Sequence, residues 1–143
     1  MAEERYNANG ELKVANPDVR EGGVKMLLLD YMTGNGDRHD NNYMISDDNK
    51  LHAIDNGFAF SKYSYNRGNA FTREKDTLEQ EGFKHHDAIR NLLKNGEAFD
   101  KHLATNYKGI TADQRAGFWY RVRELDQRMT ERKQSWTDLI QLR

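Results

Sequence analysis

A chain of 143 residues is the length of one domain and can bury about two-thirds of the surface that it exposes when unfolded. Its net charge of −1 excludes a general attraction to nucleic acid or to acidic membranes, and no apolar run is long enough to span a bilayer. The sequence has no cysteine and no signal-peptide pattern, so we expect a soluble cytoplasmic protein without disulfides.

The first residues of the chain are polar and contain Asn-Gly, Pro and Gly-Gly breaks, which predicts an irregular N-terminal arm over residues 1–23. Late in this arm, Asn16 and Pro17 have the pattern of a helix start, with Asn16 as the N-cap and Pro17 at the first helical position. The next segment, Val24–Met32, is apolar on nearly all sides and is predicted to be a buried helix.

The segment from Gly34 to Phe60 concentrates residues that can bind a divalent metal or move a proton. Two short apolar runs, Tyr43–Ile45 and Leu51–Ile54, are separated by a polar turn, which predicts a β-hairpin. Because the ends of an antiparallel pair are neighbours, Asn42 before the first strand should meet Asp55 after the second. An amide oxygen beside a carboxylate suits Mg²⁺ or Mn²⁺, the usual partners of phosphates.

The spacing of three polar residues is typical of a phosphoryl-transfer site of the kinase type. Asp37 and Asn42 are five residues apart, and Asp55 follows thirteen residues later, after the hairpin. The loop Asp37–Asn42, with the sequence D-R-H-D-N-N, resembles the D-R-H-x-x-N loop of the phosphatidylinositol 3- and 4-kinase superfamily. The segment Ile54–Gly57, with the sequence I-D-N-G, resembles the D-F-G variant of type II phosphatidylinositol 4-kinases and secretory-pathway kinases. HipA-type bacterial toxin kinases have a similar first motif.

The resemblance implies roles for five residues of the two motifs. Asp37 would orient or deprotonate the acceptor hydroxyl, and His39 is the rival base because histidine ordinarily titrates near neutrality. Asn42 and Asp55 would hold the Mg²⁺ or Mn²⁺ ions that bridge the phosphates of ATP. Arg38 would either steady the loop or neutralise the charge of the transferring group. The acceptor could be a protein, a lipid or a small molecule.

Interpretations other than a complete, active kinase remain open. Asn, Asp and Gly are the commonest turn residues, so both motifs could simply close turns. In a complete kinase a nucleotide-binding lobe precedes the catalytic loop, and the 36 residues before Asp37 are too few for one. The chain would then be a phosphotransferase whose nucleotide lobe is supplied elsewhere, or a catalytically silent kinase-like module within a larger assembly. The face left by that lobe would bind a protein partner or a second copy of the chain.

The rest of the chain is predicted to be helical. The aromatic strip Phe58–Tyr65 should pack against the C-terminal helices, and Thr72–Glu81 could form a short solvated helix. Two further helices are expected over Phe83–Leu93, with His85 and His86 on its surface, and over Glu97–Asn106. A final long helix should start at a capping box formed by Thr111 and Gln114. Its inward face is expected to comprise Phe118, Val122, Leu125, Met129, Trp136, Leu139 and Ile140. In the helix before it, Ala98, Phe99, His102 and Leu103 are expected to face inward.

The predicted fold class is therefore mainly α with a small β-hairpin (α+β), a kinase-like C-terminal lobe without the N-terminal nucleotide lobe. We divide it into the arm, residues 1–23, and the lobe, residues 24–143. Within the lobe, residues 24–60 carry the catalytic and metal-binding motifs, and residues 72–143 form a helical subdomain.

Overall fold

The computed structural model describes residues 15–54, 56–57, 59–60 and 65–143. This part of the chain is mostly helical with one two-stranded antiparallel sheet, which confirms the predicted fold class. In order, the elements are α1 (Pro17–Thr33), β1 (Tyr43–Ile45), β2 (Leu51–Ala53), α2 (Ala70–Arg73), α3 (Glu79–Gly82), a 3-10 turn (Phe83–His85), α4 (His86–Lys94), α5 (Gly96–Asn106), α6 (Ala112–Glu131) and a second 3-10 turn (Trp136–Leu139). Within these residues, no helix is both long enough and apolar enough to cross a membrane.

Helix α1 begins where the Asn-Pro pattern predicted. The Oδ1 atom of Asn16 accepts hydrogen bonds from the N–H groups of Asp18 and Val19, at 3.0 and 3.3 Å, and Pro17 occupies the first turn. Residues 17–23 are therefore helical, and the irregular arm predicted over residues 1–23 extends too far. The helix ends at Gly34, whose φ of 70° is a left-handed conformation that glycine adopts without strain.

The α1 backbone packs closely against α2 and the hairpin. A Cβ atom placed on Gly23 would lie 2.2 Å from the ring of Phe71, a residue of α2 that is completely buried. A Cβ on Gly22 would lie 3.0 Å from the Cβ of Leu51 in β2. The helix is not buried on every side, because Leu29 is 51% exposed. The two glycines thus permit close contact between α1 and its neighbours.

The hairpin forms at the two apolar runs from which it was predicted. Tyr43 pairs with Ala53 and Ile45 with Leu51, and Tyr43 and Ile45 are buried on the inner face. Ile54 lies beyond the strand, but its N–H still donates a 3.0 Å hydrogen bond to the carbonyl of Asn42. Asp55, the next residue, and Phe58 lie outside the described residues.

The segment predicted as one solvated helix over Thr72–Glu81 is instead two short helices, α2 and α3, joined by turns. Thr72 and Leu78 are completely buried within it. The high charge of the segment masked these two inward positions, so the prediction of a solvated helix was wrong.

Helix α6 begins at the predicted capping box. Gln114 N–H donates to Thr111 Oγ1 at 3.1 Å, and Thr111 N–H donates to Gln114 Oε1 at 2.8 Å. The predicted apolar face is buried as far as Met129. The helix then stops at Arg132, which has a φ of 55°, so the residues from Trp136 onward do not continue its face.

Two predictions about the neighbouring helices were also wrong in detail. His86 was expected on the surface but is only 8% exposed. It faces α6, where its Nε2 lies 2.7 Å from Asp126 Oδ1. In α5, only Leu103 of the four predicted inward residues is buried, while Ala98 and His102 are exposed. Phe99 is 37% exposed, although its ring contacts those of Phe118 and Trp119 at centroid distances of 6.3 and 5.9 Å.

Candidate active site

Arg38 is the structural centre of the loop between α1 and β1. Its side chain is 1% exposed, and its five N–H donors all reach acceptors. Nε and Nη2 bind the two carboxylate oxygens of Asp30, at 2.9 and 3.0 Å. Nη1 donates to the carbonyls of Asn42 and Ile54, both at 2.8 Å, and Nη2 also donates to Asn56 Oδ1. This geometry supports the first role expected of Arg38, steadying the loop, since no donor is left for a transferring group.

Asp30, the partner of Arg38, was not identified from the sequence. It is the charged residue near the end of the apolar run Val24–Met32, a signal that could have pointed to it. The carboxylate is 5% exposed and also lies 3.4 Å from Asn35 Nδ2. Burial raises the pKa of Asp30, and the hydrogen bonds from Arg38 and Asn35 oppose that effect. The bidentate pair ties the loop to α1.

Asn42 is fixed in a single orientation. Its Nδ2 donates to the carbonyl of Asp37, five residues earlier, and its own carbonyl accepts from Arg38 and Ile54. The side-chain oxygen Oδ1 is buried and has no hydrogen-bond partner in the described part of the chain, although the residue is only 2% exposed. A buried acceptor without a donor is costly, so this oxygen is suited to a cation.

Asp37 lies at the rim of the same loop, with its side chain 23% exposed. Its N–H donates to Asn35 Oδ1 at 3.1 Å, which fixes the backbone. Its Oδ1 accepts a 3.0 Å hydrogen bond from Nη1 of Arg67, a residue whose own N–H donates to the carbonyl of Gly36 at 2.9 Å. Arg67 was not identified from the sequence, because thirty residues separate it from Asp37.

His39 lies beside Asp37, but the two side chains form no hydrogen bond. Its Nδ1 accepts the backbone N–H of Asn41 at 3.1 Å, so the proton of a neutral ring must be on Nε2. Nε2 lies 3.9 Å from Asp37 Oδ2, beyond hydrogen-bond range. Because the one lone pair of the neutral ring is already used, the geometry favours Asp37 over His39 as a proton acceptor.

Two further polar residues attach the loop to α2. Asn69 is completely buried, and its Nδ2 donates to the carbonyl of Arg38 at 2.8 Å. Asp40 Oδ1 accepts hydrogen bonds from Tyr43 Oη at 2.7 Å and from Ala70 N–H at 2.9 Å, and Arg73 contacts Oδ2 at 3.2 Å. Partial burial acts to raise the pKa of Asp40, but these hydrogen bonds outweigh it and lower the pKa.

Asp37, Arg38, His39 and Asn42 all lie in the loop between α1 and β1, and their roles in a reaction stay predictions. Asp55, the other predicted metal ligand, is outside the described residues, and its place beside Asn42 stays a prediction. Among the residues that the structure describes, no three histidine, aspartate or glutamate side chains are grouped closely enough to hold a metal ion. The aromatic strip is described in part: Phe60 lies 5.7 Å from the ring of Phe118, whereas Tyr65 is 53% exposed.

Comparisons with known proteins point to one family. The family model described as phosphatidylinositol 3- and 4-kinase matches residues 24–107, which is more than half of the chain. The match includes the Arg38 loop, the hairpin and α1 from Val24 onward. Comparison with curated proteins and with solved structures gave no match.

Proposed function

The chain belongs to the phosphatidylinositol 3- and 4-kinase family, and from that premise we propose that it transfers phosphate from ATP to a hydroxyl group with the help of Mg²⁺ or Mn²⁺. The family supports a kinase-like phosphotransferase and a general use of ATP and divalent ions. Of the acceptor, we propose only that it carries a hydroxyl group.

One observation carries the proposal: the unpartnered Oδ1 of Asn42. This oxygen is buried five residues after Asp37, and the amide that bears it is held by the Asp37 carbonyl. Turning the amide over would place two oxygens against each other, so the oxygen has no low-energy alternative orientation. A hard cation is the partner that such an oxygen suits.

The residues of the site have distinct tasks in the proposed reaction. Asn42, with Asp55, would hold the divalent ion, which when bound neutralises the charge of the ATP phosphates. Asp37 would accept or orient the proton of the acceptor hydroxyl, because it lies at the rim and His39 has no free lone pair. Arg38 would keep both ligands in register by binding the backbone of Asn42 and Ile54.

A second candidate, a catalytically silent binding module, also has support. Nη1 of Arg67 donates to Asp37 Oδ1, so one of the two carboxylate oxygens already has a partner within the chain. Leu29 and Ile54 are 51% and 38% exposed, and such apolar side chains are available for a protein partner or a second copy of the chain.

The two candidates differ in whether the chain transfers phosphate, and the metal site that the first candidate needs is tested separately. The first experiment measures the melting temperature of the chain with and without millimolar Mn²⁺ or Mg²⁺. A metal that binds only the folded chain stabilises it, by about 2.7 kcal/mol at a hundred times its Kd. Asn42→Ala should abolish the shift relative to its own metal-free form. The matched control is Asn41→Ala, which removes the neighbouring, exposed asparagine and should keep the shift.

The second readout is phosphate transfer from γ-labelled ATP to hydroxyl acceptors, measured over long incubations. Wild type should transfer phosphate, and Asp37→Asn should not. A wild-type chain that is indifferent to both ions, or an Asn42→Ala chain with an undiminished shift, contradicts the metal site. A metal shift without any transfer would favour the silent module.

A further inference from the structure

The described residues contain one positively charged side chain that contacts the Asp37 carboxylate at hydrogen-bond distance, that of Arg67. Resting on the function proposed above, we infer that Arg67 is a positioning residue for Asp37 and that the C-terminal segment Gln141–Arg143 holds Arg67 in place. Arg67 contacts the loop twice, through its N–H to Gly36 O at 2.9 Å and through Nη1 to Asp37 Oδ1 at 3.0 Å.

These two contacts give Asp37 a defined orientation. With Oδ1 bound to Arg67, the other oxygen, Oδ2, is the one left to meet an acceptor hydroxyl. A carboxylate held in this way reaches the same position in each turnover, and misplacing a reacting group by about 1 Å can cost about 100-fold in rate. The Arg67 side chain is 53% exposed, so Arg67 contributes through its contacts with the loop and not through burial.

The C-terminal segment binds the backbone of Asn66, the residue that precedes Arg67. Asn66 N–H donates to Gln141 O at 2.8 Å, and Arg143 N–H donates to Asn66 O at 3.1 Å, which makes a short parallel bridge with Leu142. Lys75 Nζ fixes the start of this segment through the carbonyl of Ile140 at 2.8 Å.

The C-terminal segment follows closely after Trp136, a residue that is fixed in the core. Trp136 is completely buried, its Nε1 donates to Glu79 O at 2.8 Å, and a Cβ on Gly82 would lie 2.4 Å from its ring. A connected set of contacts therefore runs from Trp136 through the C-terminal segment to Asn66, and from Arg67 to Asp37. The C-terminal segment becomes a part of the active site although none of its residues touches the reacting groups.

The test uses the full chain and two matched pairs of variants. Arg67→Gln removes the charge and the contact, and it should lower kcat for phosphate transfer about 10- to 100-fold while leaving the KM for ATP unchanged. Arg67→Lys should recover part of the loss, because it restores a cation beside Asp37. The control is Arg90→Gln, which removes an arginine of equal exposure, 52%, from a surface pair with Asp126 and should have no effect.

The second pair tests the C-terminal segment. Arg143→Pro removes the N–H that Asn66 accepts, whereas Arg143→Ala keeps it. The proline variant should lower kcat and speed hydrogen exchange at the Asn66 and Arg67 amides, and both effects should be larger than in the alanine variant. Because the segment acts through Arg67, the double variant Arg67→Gln/Arg143→Pro should be no slower than Arg67→Gln alone.

The outcomes separate this inference from the proposed function. An active wild type with an equally active Arg67→Gln overturns the inference and leaves the function standing. Unchanged amide exchange in Arg143→Pro, or a double variant that loses the product of both effects, overturns the role of the C-terminal segment. A wild-type chain that transfers no phosphate overturns the proposed function, and the inference with it.

Discussion

The ion pair between Asp30 and Arg38 is almost completely shielded from water, with the two side chains 5% and 1% exposed. Two buried charges are expensive to desolvate, and their attraction compensates only when the geometry is good and every remaining donor is satisfied. Both conditions hold here, because Arg38 uses all five N–H groups. The pair therefore depends on both members being present.

We expect Asp30→Ala to lower the free energy of unfolding by about 3–5 kcal/mol, because it leaves the Arg38 charge buried without a partner. The matched control is Glu21→Ala in the same helix, which removes an exposed pair with Lys25 and should cost at most about 0.5 kcal/mol. Urea denaturation measures both values. Equal losses for the two variants would show that Arg38 does not need its carboxylate.

At the level of secondary-structure elements, the close contact between α1 and α2 depends on Gly23. Gly23→Ala should lower the free energy of unfolding by about 1–3 kcal/mol, because its Cβ would lie only 2.2 Å from the buried Phe71 ring and force the surrounding structure to shift. Gly109→Ala is the control, since a Cβ there meets no atom within 4 Å, and it should stay within about 1 kcal/mol of wild type. A Gly23→Ala protein as stable as wild type would mean that α2 can move away freely.

The elements that the sequence predicted well are those whose signals lie within a few residues of one another. Asn16 caps α1 through residues two and three positions away, and the hairpin joins neighbouring runs of the chain. The loop of Asp37 and Asn42 was found for the same reason, because its residues lie five positions apart.

The features that sequence analysis missed join distant parts of the chain. His86 was expected on the surface, but it meets Asp126 forty residues later. Arg67 meets Asp37 across thirty residues, and Lys75 meets Ile140 across sixty-five. No local pattern of residues encodes such pairs, because the packing of helices against one another decides which charges meet. The sequence therefore pointed to Arg38 as a residue that steadies the loop, but not to Asp30, Asn69 or Arg67, which also hold it.

For the molecule as a whole, the described residues form a helical body that carries the Arg38 loop. Several large apolar side chains are exposed at its surface. Leu29 of α1 is 51% exposed and Tyr65 of the aromatic strip is 53% exposed. Exposed apolar side chains of this kind favour association. We still propose that a protein partner or a second copy of the chain binds at this surface.

The final prediction concerns the chain tested alone. We expect the purified 143-residue protein to transfer phosphate more slowly than about 1 s⁻¹, the low end for kinases. Phosphoryl transfer depends on positioning and charge stabilisation, and in kinases a glycine-rich loop and a strand lysine supply much of both. Between residue 15 and Asp37, the described chain forms the single helix α1. An ATP molecule held at Asn42 would then be open to water, which weakens each electrostatic contact.

The measurement is ATP turnover with Mg²⁺ and with Mn²⁺, made on a sample whose oligomeric state is established by light scattering, with Asp37→Asn as the background. Slow turnover that rises with protein concentration would fit a site completed by a second copy. A monomer that reaches about 1 s⁻¹ or more would contradict the prediction. The loop and the ion held by Asn42 would then supply the positioning that other kinases take from a separate lobe.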